Sequence, residues 1–82
     1  MKKEINFHIN NLLKHGVDIY EVEEALLDGW KCRKREGDCY EILGCTDDGR
    51  YLQIVLEDRS NEIWVFHARD MNQREKKRYN KE

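Results

Sequence analysis

Proline is absent from this chain of 82 residues, so no position forces a break in a strand or helix, although that absence decides nothing about activity. Long apolar runs are absent too. None approaches the length needed to span a bilayer, which excludes a helical membrane protein and membrane partners of that kind. The Met-Lys-Lys-Glu-Ile-Asn start is basic but lacks an apolar segment and a small-residue cleavage site, so no secretion signal is read and a cytoplasmic location is expected. Cysteine is sparse: Cys32, Cys39 and Cys45 are odd in number, with no C-x-x-C pair, which argues against a disulfide framework or a zinc knuckle. His8, His15 and His67 are scattered as well. Neither a metal nor another cofactor is expected from such spacing.

What is present is charge. Asp, Glu, Lys and Arg make up 39% of the residues and hydrophobic types another 39%, the balance of a polar globular chain. A sequence this short reads as one domain over 1–82, burying about 60 to 68% of the surface its unfolded form exposes. The charge is uneven. From Arg69 to Glu82 there are six Lys or Arg against three Asp or Glu, a local +3 in a chain whose total is −2. Such a segment invites an anionic partner, or is simply a solvated helix. The pI near 5.9 is low for a protein that approaches a polyanion. The acids Asp18, Glu21, Glu23, Glu24 and Asp28 cluster together, however, so charge can be polarised between an acidic helix and a basic face.

Periodicity divides the chain in two. Ile5, Ile9, Leu12 and Leu13 fall at helical spacing and Gly16 follows, predicting a short first helix that ends near His15. Asp18 with Glu21 forms a capping box ahead of Ile19, Val22, Ala25 and Leu26, and Gly29 closes this second helix. From Trp30 the period becomes two. Strands are expected at Trp30 to Arg35, Cys39 to Cys45, Arg50 to Glu57 and Glu62 to Ala68, with connections short enough for an antiparallel meander. Asp70 followed by Gln73 reads as a capping box that opens a last helix at Asp70. The expected architecture is α+β: two N-terminal helices, a four-stranded antiparallel meander and a C-terminal helix, with Ile54 and Val65 in the core.

The end of the chain, with Ala68-Arg69 closing a strand, then Arg74-Glu75 and Arg78-Tyr79 on a helix, resembles the BrnT family of toxins, small bacterial ribonucleases of the RelE superfamily. Lys14-His15-Gly16-Val17 before an acidic amphipathic helix resembles that family's Lys-His-Gly-Val element, at the matching distance. The family usually has a strand before the first helix. Only Glu4 to Phe7 is placed to supply it, and the Trp-Asp pair typical of that strand is missing. The resemblance implies a RelE-like fold and a metal-independent endoribonuclease that slows translation. It also implies a ribbon-helix-helix antitoxin as partner, with RNA as substrate and operator DNA contacted only through the antitoxin. The rival readings are a noncatalytic binding module of the same fold and a purely structural domain.

Cleaving RNA without a metal requires a base for the 2′-hydroxyl proton, a cation for the charge on phosphorus, and an acid for the leaving 5′-oxygen. By resemblance Arg69 stabilises the phosphate, with Tyr79 and Arg78 facing the same cleft. The alternative for Arg69 is an ion pair with the acidic second helix. His67 stands two residues away on the strand, hence on the same face, as a candidate base or as a half-buried polar residue. His15 is a helix cap or a site residue. Glu75 orients Tyr79, acts as a base, or pairs with Arg78. Arg74, Arg78 and Lys77 are the candidate RNA-binding cations. Lys31, Arg33, Lys34 and Arg35 form a second basic block, which also serves as a charged edge against sheet-to-sheet association.

Overall fold

A computed structural model describes residues 4–27 and 29–81. In chain order the elements are β1 (Glu4–Phe7), α1 (Ile9–Lys14), α2 (Ile19–Ala25), β2 (Lys31–Lys34), β3 (Cys39–Cys45), β4 (Tyr51–Asp58), β5 (Glu62–Asp70) and α3 (Gln73–Asn80). Strands β2 to β5 form the expected antiparallel meander in chain order. The sheet has one strand more than expected: β1 adds to β5 in parallel, giving the order β1-β5-β4-β3-β2 in a mixed sheet. The α+β class therefore holds, with five strands in place of four.

Two local expectations are corrected. Ile5 belongs to β1, not to the first helix, which starts at Ile9. The last helix does not begin at Asp70, because β5 continues through Asp70, which pairs with Leu52 and whose carboxylate is held by Arg50. The cap is Asn72, whose side chain accepts from the Glu75 N–H while the Glu75 carboxylate accepts from the Asn72 N–H. Both Asp70 and Asn72 fit the capping pattern, and strand pairing chooses between them. The Asp18–Glu21 capping box is present as expected.

The two faces of the sheet do different work. Leu12, Val17, Val22 and Ala25 from the helical segment bury against Ile42, Leu52, Ile54, Leu56, Val65 and Ala68. Each fully buried aliphatic of this kind contributes on the order of 1.5–3 kcal/mol. At Gly44 the approach of α2 to β3 is so close that a Cβ would lie 2.5 Å from the Ala25 carbonyl oxygen. Arg50 fastens the same side: its Nη1 donates to both Glu21 oxygens at 2.9 Å and to the Gly16 carbonyl at 3.1 Å, and its Nε donates to Asp70 at 2.7 Å. The opposite face carries Gln53, Glu41 and Arg69 and is crossed by α3. Among the described residues no helix is long and apolar enough to cross a membrane.

Candidate active site on the open face of the sheet

Strict alternation along β5 would put Val65, His67 and Arg69 on one face. The structure instead inserts a bulge. Val65 pairs with Leu56 and His67 with Val55, so Phe66 has no partner on β4. The extra residue shifts the alternation by one, which keeps Val65 and Ala68 in the core and turns Phe66, His67 and Arg69 toward the open face. The bulge is tied at its backbone: the His8 N–H donates to the Val65 carbonyl at 2.9 Å and the Asn11 amide to the Phe66 carbonyl at 3.1 Å. Through these bonds the start of α1 fixes where His67 and Arg69 point.

Arg69 makes a two-pronged pair with Glu75, Nη1 to Oε1 and Nη2 to Oε2 at 2.8 Å each, and Nη1 also donates to the Asp70 carbonyl at 2.9 Å. The guanidinium keeps about a third of its surface in solvent, whereas the carboxylate is 8% exposed. Burial pushes the Glu75 pKa up, but the Arg69 hydrogen bonds, the Asn72 amide and the charges of Arg69 and Arg78 outweigh it and hold the carboxyl below its ordinary range. Arg69 thus has an ion-pair partner, though on α3 and not on the acidic α2. Glu75 pairs with Arg69 instead of with Arg78 or Tyr79.

His67 is half-buried beside this pair. Burial lowers its pKa, and the neighbouring His15, Arg69 and Arg35 lower it further against the opposing pull of Glu75. Burial and the neighbouring cations thus favour the neutral imidazole. His15, the residue closing α1, sets its ring edge-on to His67 with 4.7 Å between centroids. Its backbone N–H meanwhile donates to the Leu12 carbonyl and that of Gly16 to the Leu13 carbonyl, which completes the helix end.

A depression of about 710 Å³ opens beside these groups, lined by Arg33, Arg35, Glu36, Cys39, Glu41 and Val55. Val55 is the strand partner of His67, and Glu41 pairs with Val55 in turn, so the depression continues the row on which His67 stands. Glu41 accepts from Arg78 and, at 3.0 Å, from the Gln53 amide. This links α3 to the floor of the sheet.

The structure brings Arg69, Glu75, His67 and His15 together and seats Arg78 on Glu41 at their margin. It does not bring Tyr79 to them. The Tyr79 ring packs edge-on against Tyr51 at 5.8 Å, two strand positions beyond Gln53, the partner of Arg69. Its hydroxyl lies 3.9 Å from where a Cβ on Gly29 would be. Arg74 and Lys77 are exposed on the outer side of α3. Sequence reasoning missed Glu41 outright and read Arg33 and Arg35 only as an edge block. The alternation of Lys31, Arg33 and Arg35 already placed them on one face, but what they face depends on the β2–β3 register. Among the described residues no group of three or more His, Cys, Asp or Glu is arranged to hold a metal ion.

No family model matches the sequence, and no curated protein matches it either. Among solved structures it is similar to the ribonuclease toxin BrnT of Brucella abortus. The match has 19% sequence identity and a TM-score of 0.69, and it covers 88% of this chain and 100% of that one. At this identity the likeness speaks for the fold, and the fold of this chain is that of BrnT, over the whole length of the toxin's chain.

Proposed function

We propose that this chain is an endoribonuclease toxin of a toxin–antitoxin pair, cleaving RNA at the open face by a mechanism that needs no metal. The observation that carries the reading is the placement of His67 two residues from Arg69 on the open face of β5, edge-on to His15 and beside the depression that Arg33 and Arg35 line. In such a site the imidazole takes the proton from a ribose 2′-hydroxyl, whose oxygen attacks the adjacent phosphorus. The P–O5′ bond breaks and the departing oxygen takes a proton from water, leaving a 2′,3′-cyclic phosphate and a 5′-hydroxyl, while the His67 imidazolium returns its proton to solvent. Arg69 stabilises the nonbridging oxygens as their charge grows, and a guanidinium suits that role because it cannot lose its proton. Arg35, near enough to depress the His67 pKa and part of the lining of the depression, is the cation that offsets charge on the departing oxygen. Glu75 holds Arg69 in place and His15 keeps His67 neutral, so both are positioning residues. Arg74 and Lys77 contact phosphates outside the cleavage position, and Arg78 acts through Glu41.

The partner in this reading is a ribbon-helix-helix antitoxin that covers the cationic face, with operator DNA bound only through the antitoxin and the pair at work in the cytoplasm. One observation favours a noncatalytic binding module instead: both Arg69 and Arg78 already have carboxylate partners. Expression in bacteria separates the two readings. Induction of this chain alone should arrest growth and deplete intact mRNA, with relief on co-expression of the gene product encoded beside it. Normal growth at high expression of folded protein, with RNA intact, would favour the binding module.

A further inference from the structure

The same face carries an aromatic group that cleavage chemistry does not use. His8 stacks on Phe66 with centroids 4.7 Å apart and planes at 24°, and it tilts against Trp64 at 5.1 Å. The Arg59 guanidinium lies 5.3 Å from the Trp64 ring centre and 6.0 Å from that of Phe66. These groups are held in place. Trp64 donates its indole N–H to Glu62 at 2.8 Å, and Arg59 pairs with Glu57 at 2.6 Å. Phe66 is the bulge residue, turned out of the core and immediately before His67, while His8 is exposed and presents its outer side to solvent. A flat ligand can extend the Phe66–His8 stack. An uncharged ligand suits it best, because the Glu57 and Glu62 carboxylates already occupy the Arg59 guanidinium there, whereas the cations Arg33, Arg35 and Arg69 lie on the other side of His67.

We propose that His8, Phe66, Trp64 and Arg59 form a subsite for one unpaired nucleobase, stacked on the His8 ring, belonging to the strand whose phosphate lies at His67 and Arg69. The inference deepens the ribonuclease reading and rests on it for the identity of the strand. It restricts the substrate to single-stranded or splayed RNA, because a base inside a duplex has both faces covered. Stacking on an aromatic ring is tolerant of base identity and changes affinity by about tenfold per base.

The test is binding of a labelled single-stranded oligonucleotide with 2′-deoxyribose throughout, which cannot be cleaved, followed by anisotropy. A counterpart has one abasic position, moved along the strand. With the unaltered chain, one abasic position should weaken binding about tenfold. His8→Ala should remove that difference and His8→Phe should retain it. In a Trp30→Phe background the Trp64 fluorescence should respond to the intact strand and not to the abasic one. Equal binding of intact and abasic strands at every position would overturn the subsite, as would a base dependence that survives both His8→Ala and Arg59→Ala. RNA cleavage assayed separately keeps the two claims apart. Base-dependent binding without cleavage leaves the subsite standing and removes the ribonuclease, and cleavage without base dependence does the reverse.

Discussion

A guanidinium at the end of a strand can serve a phosphate or a carboxylate, and Arg69 already holds the buried carboxylate of Glu75. Arg69→Ala should therefore do two things. It should lower cleavage by on the order of 10², as removing an oxyanion donor does. It should also lower stability by roughly 1–2 kcal/mol through the unpaired Glu75, toward the small end because the guanidinium is a third exposed. Adding Glu75→Gln should recover part of the melting temperature and none of the cleavage. Recovery of both would make Arg69 a structural ion pair only. The pH dependence belongs to His67. Its folded pKa lies below the ordinary 6.5, so the unfolded chain binds the proton more readily. Stability is unaffected by this group above pH 6.5 and falls as pH drops through that value toward the lower folded pKa. Cleavage, which needs the neutral ring, should hold its plateau at pH 7 and decline along an acid limb centred below 6.5. His15→Ala removes one of the neighbours that depress the pKa, so the limb should move upward. An acid limb that stays put in His15→Ala and in Arg35→Ala would assign it to another group.

Among the elements, β5 matters most, because one bulge decides whether His67 and Arg69 face the core or the site. Asn11 ties the bulge carbonyl, so Asn11→Ala should lower kcat more than it raises KM, at a stability cost of about 1 kcal/mol. A change confined to stability would show that the bulge holds without it. On the other face, Gly44→Ala drives a Cβ into the Ala25 backbone, and neither partner is a flexible side-chain tip. It should cost about 1–3 kcal/mol in denaturant unfolding, and an unchanged midpoint would contradict the close approach of α2 to β3. Much of this arrangement is legible in the residues. The limits of β3, the Asp18–Glu21 cap and the meander order follow from alternation and local capping, all short-range signals. What is not legible is set by distant partners. Glu4–Phe7 is a strand because β5 offers it an edge, although Ile5 and Ile9 fit a helical period. Asn72 outcompetes Asp70 as a cap because Leu52 and Arg50 claim Asp70 for the sheet. The pairings of Arg69 with Glu75 and Arg78 with Glu41 need the path of α3 across the sheet, which no spacing in the sequence reveals.

At the scale of the whole molecule, one acidic cluster and one cationic cluster lie on different elements. Glu21, Glu23 and Glu24 lie on α2, while Arg33, Arg35, Arg69 and the exposed Arg74 and Lys77 gather around the opposite face and its helix. That division lets a chain of net charge −2 approach a polyanion from one side. Arg74→Glu with Lys77→Glu should raise KM for RNA about tenfold and flatten its salt dependence, with kcat retained; a loss of kcat at unchanged KM would move these residues into the chemistry. The most direct test of the central claim is cleavage of a single-stranded RNA by the purified chain in excess chelator, with the new ends identified. The account predicts 2′,3′-cyclic phosphate and 5′-hydroxyl ends, produced by the unaltered chain and lost by on the order of 10² or more in a folded His67→Ala variant. Intact RNA with the unaltered chain, or undiminished cleavage by folded His67→Ala, would contradict it.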